Sequence, residues 1–397
     1  MLKLKYLRHP FHTAAVAKAQ LSAYLNIRRS AADIQRRYAG DPRYNLENVT
    51  RGFAPRLCEA SRIDPRNEAA LLQRICSAYI KAIEDEPFQP ATYRPTKWWQ
   101  HVRTSRLGPV MRALQARDLD TLSGIYRNFF RDPCSSGLVD LPYGMTNIYF
   151  SGAINDLHRR FYLGDALHRI DYWATQVSSR FDLYDLAGPG IGNPFGIVLD
   201  RTLIQTGAPY QHYCAHRIMH QLTSEPAIVA EIGGGFGGMA YYLLRDRPRL
   251  TYLDFDLPES LALTTYYLHK AFPSKTFLLY GEEELNSKTM QRADVILMPL
   301  FELPKLPTGS VHVSFSSNAI SDLSPESLAE YLKIVARSTR DCFLHIGNTQ
   351  APPMLAGEIL RSQLPLRLTE TRPSGWYTYR YSKATEVESL YRIAHEG

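Results

Sequence analysis

Hydrophobic residues recur at spacings of three and four along the first half of the chain, which is the period of an amphipathic helix. The pattern is clear in residues 67–86, 108–130 and 152–177. Connectors with proline and glycine interrupt it at 86–99 and 186–200, and the second connector is glycine-rich enough to be a binding loop. We therefore predict a mainly helical N-terminal domain.

The pattern changes near residue 225, where short apolar runs begin to alternate with amphipathic segments. Strands are predicted at 227–232, 250–257, 294–300, 311–317 and 341–347, and helices at 239–246, 258–272 and 324–339. This alternation is typical of a doubly wound α/β domain with a parallel sheet. Segments 365–372 and 376–383, joined by Pro373-Ser374-Gly375, predict a closing antiparallel hairpin. We place the helical domain at 1–204 and the α/β domain at 205–397.

A glycine cluster follows the first predicted strand, in Glu231-Ile-Gly-Gly-Gly-Phe-Gly-Gly. Gly233, Gly235 and Gly238 satisfy the dinucleotide pattern GxGxxG. Glu231, with Gly233, Gly235 and Gly237, equally satisfies an acid-x-Gly-x-Gly-x-Gly pattern for S-adenosylmethionine (SAM). Glu231 favours SAM, because that molecule carries an ammonium and a sulfonium but no pyrophosphate.

Polar residues also follow the later strands, where ligands bind in open α/β sheets. Asp256 ends the second strand and is predicted to accept both ribose hydroxyls, with Asp254 either a helper or a buried hydrogen-bonding group. Phe301, in the apolar loop after the third strand, is predicted to cover adenine. Ser317 and Asn318, after the fourth strand, are predicted to face the donor pocket, and Ser321 to lie at its rim.

These motifs together resemble class I SAM-dependent methyltransferases. The residues that carry the resemblance are Glu231-x-Gly-x-Gly-x-Gly, Phe-Asp256-Leu-Pro and Ser-Ser-Asn318-Ala-Ile-Ser-Asp-Leu-Ser-Pro-Glu, and it covers roughly residues 205–383. More narrowly, the chain is similar to sugar O-methyltransferases. The resemblance implies a Rossmann-like fold with a seven-stranded, mainly parallel sheet and a C-terminal antiparallel hairpin. It also implies methyl transfer from SAM to a hydroxyl of a nucleotide-, lipid- or glycan-linked sugar in polysaccharide or glycoconjugate biosynthesis, with the helical domain recognising the acceptor.

A sugar hydroxyl is a poor nucleophile, so a base within hydrogen-bond reach is expected. His345 is our first candidate, because it lies late in the fifth strand, whereas His312 begins the fourth. In the predicted helix 210–220, His216 is a second candidate and Tyr213 a candidate donor contact. Interdomain packing of this helix and an Asp or Glu base from the N-terminal half remain open alternatives. The three histidines of this helix are not expected to hold a metal, because they cannot all converge on one ion.

Charge and cysteine content limit the partners and the compartment. The net charge is +7, with many basic residues in 1–51. We interpret these as a solvated face, with peripheral contact to an anionic membrane surface as an alternative, and no nucleic-acid motif accompanies them. The five cysteines never form CxxC, and the N-terminus lacks a secretory h-region, so we expect a cytoplasmic protein. A homodimer is compatible with the helical half.

Two rival functions use the same glycine loop. An NAD(P)-dependent oxidoreductase or epimerase acting on a nucleotide sugar is disfavoured by Glu231 and by the absence of a Tyr-x-x-x-Lys pair after the fourth strand. A non-catalytic binding module with a methyltransferase fold is disfavoured by the intact loop and by Asp256. Only a ligand-binding test separates these readings from a methyltransferase.

Overall fold

The structure is a computed structural model that describes residues 10–55, 65–141, 146–152, 154–177, 181–321, 323–380 and 386–394, with side chains from residue 24 onward. Part of the basic N-terminal segment, residues 1–9, lies outside the described residues. The following helix is α1 (Pro10–Arg37), whose Arg28, Arg29, Arg36 and Arg37 are exposed. In the described ranges, no helix combines the length and the apolar character needed to cross a membrane.

The N-terminal half is mainly helical, as predicted. After α1 come α2 (Glu47–Phe53), α3 (Pro65–Asp85), α4 (Lys97–Val102), α5 (Gly108–Ala116), α6 (Leu119–Tyr126), α7 (Thr146–Phe150), α8 (Asp156–Gln176) and α9 (Ala208–Met219). The single helix expected over 108–130 is two helices, because Arg117 adopts a left-handed conformation with φ of 52° and Asp118 then caps α6 by accepting from the Thr121 amide.

The C-terminal half contains a mixed sheet. Its strands are β3 (Ala227–Ile232), β4 (Leu250–Asp256), β5 (Phe277–Leu279), β6 (Val295–Pro299), β7 (Val311–Ser317), β8 (Thr339–Asn348), β9 (Leu366–Pro373) and β10 (Glu386–Ile393). The intervening helices are α10 (Gly238–Asp246), α11 (Pro258–Ala271), α12 (Ser287–Arg292), α13 (Pro325–Ser338) and α14 (Ala351–Arg361). The spatial order is β5-β6-β4-β3-β7-β8-β10-β9, and β10 runs antiparallel to both neighbours. The sheet therefore has eight strands, one more than the seven expected. The additional strand is β5, a short edge strand that the hydrophobic pattern did not predict.

Two predicted segments differ from the structure. The second hairpin strand lies at β10, whereas it was predicted at 376–383, of which residues 381–383 lie outside the described residues. Trp376 and Tyr377 both pack on the core although they are adjacent in sequence, and residues 376–380 form a turn. The connector 186–200 contains β1 (Gly196–Leu199), which pairs with β2 (Thr202–Gln205). A Cβ on Gly196 would lie 1.9 Å from the Ile204 carbonyl oxygen, so close strand packing accounts for this glycine.

The sheet separates two cores because alternate residues of each strand face opposite sides. On one side Val229, Tyr252, Phe315 and Leu344 join a hydrophobic cluster that also contains residues of α1, α3 and α8. On the other side Ile232, Phe255 and Phe343 pack with residues of α13 and α14. The N-terminal helices therefore share a continuous core with the first face of the sheet.

The strand order changes direction between β3 and β7. From β3 the chain runs to β4 and β6 on one side, and later to β7 and β8 on the other. Such a switch point opens a crevice at the carboxyl ends of the two strands, and ligands of open α/β sheets bind there. The glycine cluster follows β3 and Ser317-Asn318 follows β7, so the fold brings both segments to this crevice.

Candidate functional site

The glycine loop after β3 is held close to its neighbours. Gly233, Gly235 and Gly237 have φ values of +82°, +67° and +85°, which residues with a side chain rarely adopt. A Cβ on Gly233 would also lie 2.3 Å from the Cβ of Ala319, in the turn after β7. The loop therefore presents backbone rather than side chains to the crevice, as the sequence predicts.

Two aspartates of β4 fix the loop by accepting its amide protons. The Gly234 amide donates to Asp254 Oδ1 at 3.0 Å and the Gly235 amide to Asp256 Oδ2 at 2.9 Å. Asp256 Oδ1 accepts from the Leu257 amide at 2.6 Å. Asp254 Oδ2 is buried without a hydrogen-bond partner among the described residues. Asp256 lies at the strand end as predicted, and Asp254 has the buried hydrogen-bonding role that was one of its two predicted alternatives.

Glu231 completes a group of three buried carboxyls on one sheet face. It lies opposite Asp254 in the β3–β4 register, and Tyr252 donates to its Oε2 at 2.5 Å. Burial raises the pKa of Glu231 to about 8 and that of Asp256 to about 7. Burial also raises the pKa of Asp254 well above its usual range, and the neighbouring Asp256 and Glu231 raise it further. In the described residues no Lys or Arg forms an ion pair with any of the three, so the group is suited to a cationic ligand.

A second polar group lies across the crevice, at the end of β7. Tyr210 at the start of α9 and Ser317 lie 2.7 Å apart, hydroxyl to hydroxyl. Asn318, in the left-handed region with φ of 63°, donates from Nδ2 to Glu386 Oε1 at 3.0 Å. Ser374 Oγ donates to the other carboxylate oxygen of Glu386 at 3.2 Å. Ser317 and Asn318 thus lie at the carboxyl edge as predicted, and Asn318 holds a carboxylate.

Sequence reasoning missed Glu386. Its place at the crevice depends on β10 running antiparallel to β8, which puts the first residue of β10 opposite Asn348, the last residue of β8. Glu386 and Glu388 flank Val387 in EVESLYRI, a short segment with β-branched and aromatic residues, and that composition was the available signal for a strand.

A buried network of charges that joins the helical half to Arg380 of the C-terminal half adjoins these groups. Asp140 accepts from Arg169 of α8 and from Arg380, and Arg380 also donates to Asp165 Oδ2 at 2.7 Å. The nearby arginines lower the pKa of Asp140 to about 2, although burial acts in the opposite direction. A small cavity beside the network is lined by Asp165, Arg169, Arg380 and Gln205. This surface can recognise a ligand rich in hydroxyl groups through hydrogen bonds.

A second ion pair joins the halves next to Asp256. Arg103 donates to both carboxylate oxygens of Glu259, in the first turn of α11, at 2.7 and 2.8 Å. It also donates to both oxygens of Glu86, at 2.9 and 3.0 Å. Arg103 therefore links the end of α3 to α11, the helix that follows β4.

The structure does not bring His345 to the group around Glu231 and Asp256. Its neighbours in sequence, Leu344 and Ile346, face the N-terminal helices, so its ring points to the opposite sheet face. It is 0% exposed, neither ring nitrogen has a hydrogen-bond partner among the described residues, and burial lowers its pKa to about 4. This placement does not support His345 as a base that contacts the acceptor, because the prediction considered its position along the strand and not the sheet face on which it lies.

His216 and Tyr213 are also directed away from the crevice. Helix α9 begins at the crevice with Tyr210 and runs away from it, so each later turn lies deeper. Tyr213 donates to Glu388 Oε2 at 2.5 Å, and His216 Nε2 lies 3.0 Å from His220 Nε2. The alternative of interdomain packing describes this helix, and the placement does not support the roles of His216 as a base and Tyr213 as a donor contact.

Phe301 lies after β6 as predicted, but its ring is a core group. It is 7% exposed and packs edge to face on Tyr280, with ring centroids 5.3 Å apart. Its role as an adenine cover stays a prediction. Ser321 is 6% exposed, and a Cβ on Gly347 would lie within 2.4 Å of both the Ser321 hydroxyl and the His345 ring, so these groups adjoin.

Comparison with known proteins gives similarity only to solved structures. No protein-family model matches the chain, and no curated protein sequence matches it. The chain is similar to a SAM-dependent methyltransferase from Aquifex aeolicus, with 15% identity, coverage of 47% of this chain and 94% of that one, and a TM-score of 0.32. The mitomycin 7-O-methyltransferase MmcR has 15% identity, with coverage of 47% of this chain and 55% of that one and a TM-score of 0.31. The [4+2]-cyclase SpnF has 8% identity, with coverage of 48% of this chain and 84% of that one and a TM-score of 0.37.

Proposed function

We propose that this protein is a SAM-dependent O-methyltransferase. The observation that carries the proposal is the group of Glu231, Asp254 and Asp256, buried together beside a glycine loop at the switch point of the sheet, with no cationic side chain paired to them in the described residues. Three buried carboxyls favour a ligand with positive charge and hydroxyl groups, and they disfavour a pyrophosphate. SAM meets both requirements.

The residues present fit this donor in distinct ways. Glu231 lies where a carboxylate can pair with the α-ammonium or the sulfonium, and Asp256 is positioned at the strand end to accept from ribose hydroxyls. The glycine loop leaves its surface open to the ligand. When bound, the donor supplies a methyl group on a cationic sulfur. A hydroxyl oxygen that attacks the methyl carbon can displace this sulfur.

A sugar is the proposed acceptor. Support comes from the sequence resemblance and from the polar groups that adjoin the crevice, which include Asp140, Arg169 and Arg380. Hydroxyl groups in several directions are best recognised by such fixed donors and acceptors. The helical half then orients the acceptor hydroxyl toward the donor, and such orientation can lower the barrier for a weak nucleophile by about 7 to 11 kcal/mol.

The proposal is tested by incubating the protein with methyl-labelled SAM and a panel of nucleoside-diphosphate sugars, lipid-linked sugars and oligosaccharides. The expected result is formation of S-adenosylhomocysteine that depends on one class of sugar, with the label in the sugar. NAD(P)H turnover with a nucleotide sugar would support the oxidoreductase instead. Donor binding without transfer to any member of the panel would favour a different acceptor or the binding module.

A further inference from the structure

Glu386 is a buried carboxylate at the carboxyl edge of the sheet, beside the turn that follows β7. It is 6% exposed and pairs in register with Asn348 at the end of β8. Along β10 it shares a face with Glu388 and Leu390, and this face is the one that carries Glu231, Asp254 and Asp256. Unlike Glu388, which is paired with Arg217 and Arg372, Glu386 has no ion pair within the part of the chain that the structure describes.

Its two oxygens are oriented by neutral donors. The Asn318 amide donates to Oε1 and the Ser374 hydroxyl to Oε2. Asn318 in turn is followed by Ala319, which touches Gly233 of the donor loop closely enough that a Cβ there would lie at 2.3 Å. One short chain of contacts thus connects Glu386 to the glycine loop. Neutral donors orient a carboxylate and leave it able to accept a proton, whereas an arginine would hold it ionised.

We propose that Glu386 is the general base that accepts the proton of the acceptor hydroxyl, oriented by Asn318 and Ser374. This inference rests on the proposed methyltransferase function and names the residue that sequence reasoning sought among the histidines. His345 faces the other side of the sheet, and His216 lies deeper along α9.

The step balances with Glu386 ionised at the start. The acceptor oxygen forms a bond to the methyl carbon while the carbon–sulfur bond of the donor breaks and its electron pair stays on sulfur. The hydroxyl proton moves to Glu386. The products are a methyl ether, neutral S-adenosylhomocysteine and protonated Glu386, which returns its proton to water.

The groups around Glu386 set its acidity near neutrality. Burial raises the pKa of Glu386 to about 7, and the hydrogen bonds from Asn318 and Ser374 act in the opposite direction. Asp140 on the helical side raises it and Arg169 of α8 lowers it. Tyr210 and Cys214 of α9, together with Tyr377 after β9, are the other titratable groups that feel its charge. A general base with this acidity is half ionised near pH 7, where proton transfer is most efficient.

The test compares wild type with Glu386→Gln, which keeps the size of the side chain: its amide oxygen can accept from Asn318, and its NH2 group can donate to Ser374 Oγ. Each protein is titrated calorimetrically with SAM and with S-adenosylhomocysteine at pH 7, in two buffers with different ionisation enthalpies, so that released protons are counted. The sulfonium lowers the pKa of Glu386 and of the three carboxyls beside the glycine loop, so wild type should release more protons with SAM than with S-adenosylhomocysteine, whose sulfur is uncharged. Glu386→Gln should bind S-adenosylhomocysteine within about twofold of wild type and should release about 0.2 to 0.5 fewer protons than wild type when SAM binds, because it lacks the share that comes from Glu386.

Glu370→Gln is the matched control, since Glu370 lies on the neighbouring strand β9 with its side chain 40% exposed, and it should keep the wild-type difference. An unchanged proton difference in Glu386→Gln would overturn the proposal. Absence of product binding by wild type would instead overturn the methyltransferase function itself. If Glu386→Gln does not fold, Asn318→Asp replaces it, because Asp tolerates the left-handed backbone. The titrations are then repeated over a range of pH, and the added charge should raise the pH at which half of the proton release occurs by about one unit. An unmoved midpoint would also overturn the proposal.

With a reactive sugar identified, Glu386→Gln should lower kcat about 100- to 10,000-fold and change KM less than about threefold. It should also abolish the rise of rate with pH near 7. A variant with wild-type kcat and pH profile would contradict the role of Glu386 as base.

Discussion

At the residue scale, Glu231, Asp254, Asp256 and Glu386 should make the ligand-free protein sensitive to pH. A carboxyl with a raised pKa stays protonated in the folded state while its unfolded counterpart ionises, so the free energy of unfolding falls as pH rises through that interval. The buried His212 and His345 have lowered pKa values and act in the opposite direction: their stabilisation is lost as pH falls through about 6.5, where half of an unfolded histidine is already charged. Urea unfolding of the ligand-free protein should therefore give a lower free energy at pH 8 than at pH 6.5.

The same carboxyls should make donor binding stronger at higher pH. A cationic donor prefers ionised Glu231, Asp254 and Asp256, so its affinity should rise several-fold between pH 6 and pH 8.5. Glu231→Gln should flatten this rise, and it should weaken binding of SAM, which carries both the ammonium and the sulfonium, more than binding of S-adenosylhomocysteine, which carries only the ammonium. Calorimetric titrations across that range measure both effects. An affinity that falls with pH would contradict the assignment of a cation to this site.

The donor affinity of the Gly233→Ala variant tests how closely the glycine loop packs against its neighbours. Gly233→Ala combines a positive φ with a 2.3 Å contact to Ala319, so the loop must shift and donor affinity should fall at least about tenfold. The matched control is Gly124→Ala in α6, where an added Cβ has nothing within 4 Å. That variant should bind normally and be stabilised by about 0.5 to 1 kcal/mol. Equal binding by both variants would show that the loop does not contact the donor.

At the element scale, Arg103 ties α4 and the end of α3 to α11. Its side chain is 14% exposed and that of Glu259 is 2% exposed, so Arg103→Met leaves a buried carboxylate without its partner. We expect a loss of about 3 to 5 kcal/mol in the free energy of unfolding. Arg36→Met breaks an ion pair whose side chains are 78% and 48% exposed, and it should cost less than about 1 kcal/mol. Similar losses in the two variants would contradict the structural role of Arg103.

The elements that could be predicted are those with a strong local period. Strands β3, β4, β6, β7 and β8 and helices α3, α8, α10, α11 and α13 match their predicted segments within a few residues. Strand β5 has only three residues and was missed. The aromatic residues of 376–380 gave a false strand prediction. They are aromatic because they pack against α8 and α9, which is a tertiary contact that a local sequence pattern does not reveal.

The part of the site around the glycine loop could be predicted because its residues are close together in the sequence. Glu231, the glycines and Asp256 stand within one strand–loop–helix–strand unit, and the structure places them together. The polar groups at the other end of the site could not be predicted in the same way. Glu386 reaches the crevice only through the antiparallel insertion of β10, and His345 was misjudged because sheet face depends on register.

At the scale of the whole molecule, the two predicted domains share one hydrophobic cluster. It joins Ile75 and Leu167 of the helical half to Val229 and Tyr252 of the sheet. We predict a single unfolding transition, with circular dichroism and tryptophan fluorescence coincident, although three of the four tryptophans precede residue 205. Two separated transitions would show that the halves are independent domains. Residues 205–397 alone should lack a cooperative transition, because the face of α11 that packs on α3 would be exposed.

The central claim is that the glycine loop and Asp256 bind SAM, and isothermal titration tests it most directly. The wild-type protein is titrated with S-adenosylhomocysteine, NAD and NADP, and the Asp256→Ala variant is titrated in parallel. The account predicts binding of S-adenosylhomocysteine alone, and its loss in Asp256→Ala at unchanged circular dichroism. Binding of a nicotinamide nucleotide, or S-adenosylhomocysteine binding that survives Asp256→Ala undiminished, would contradict it.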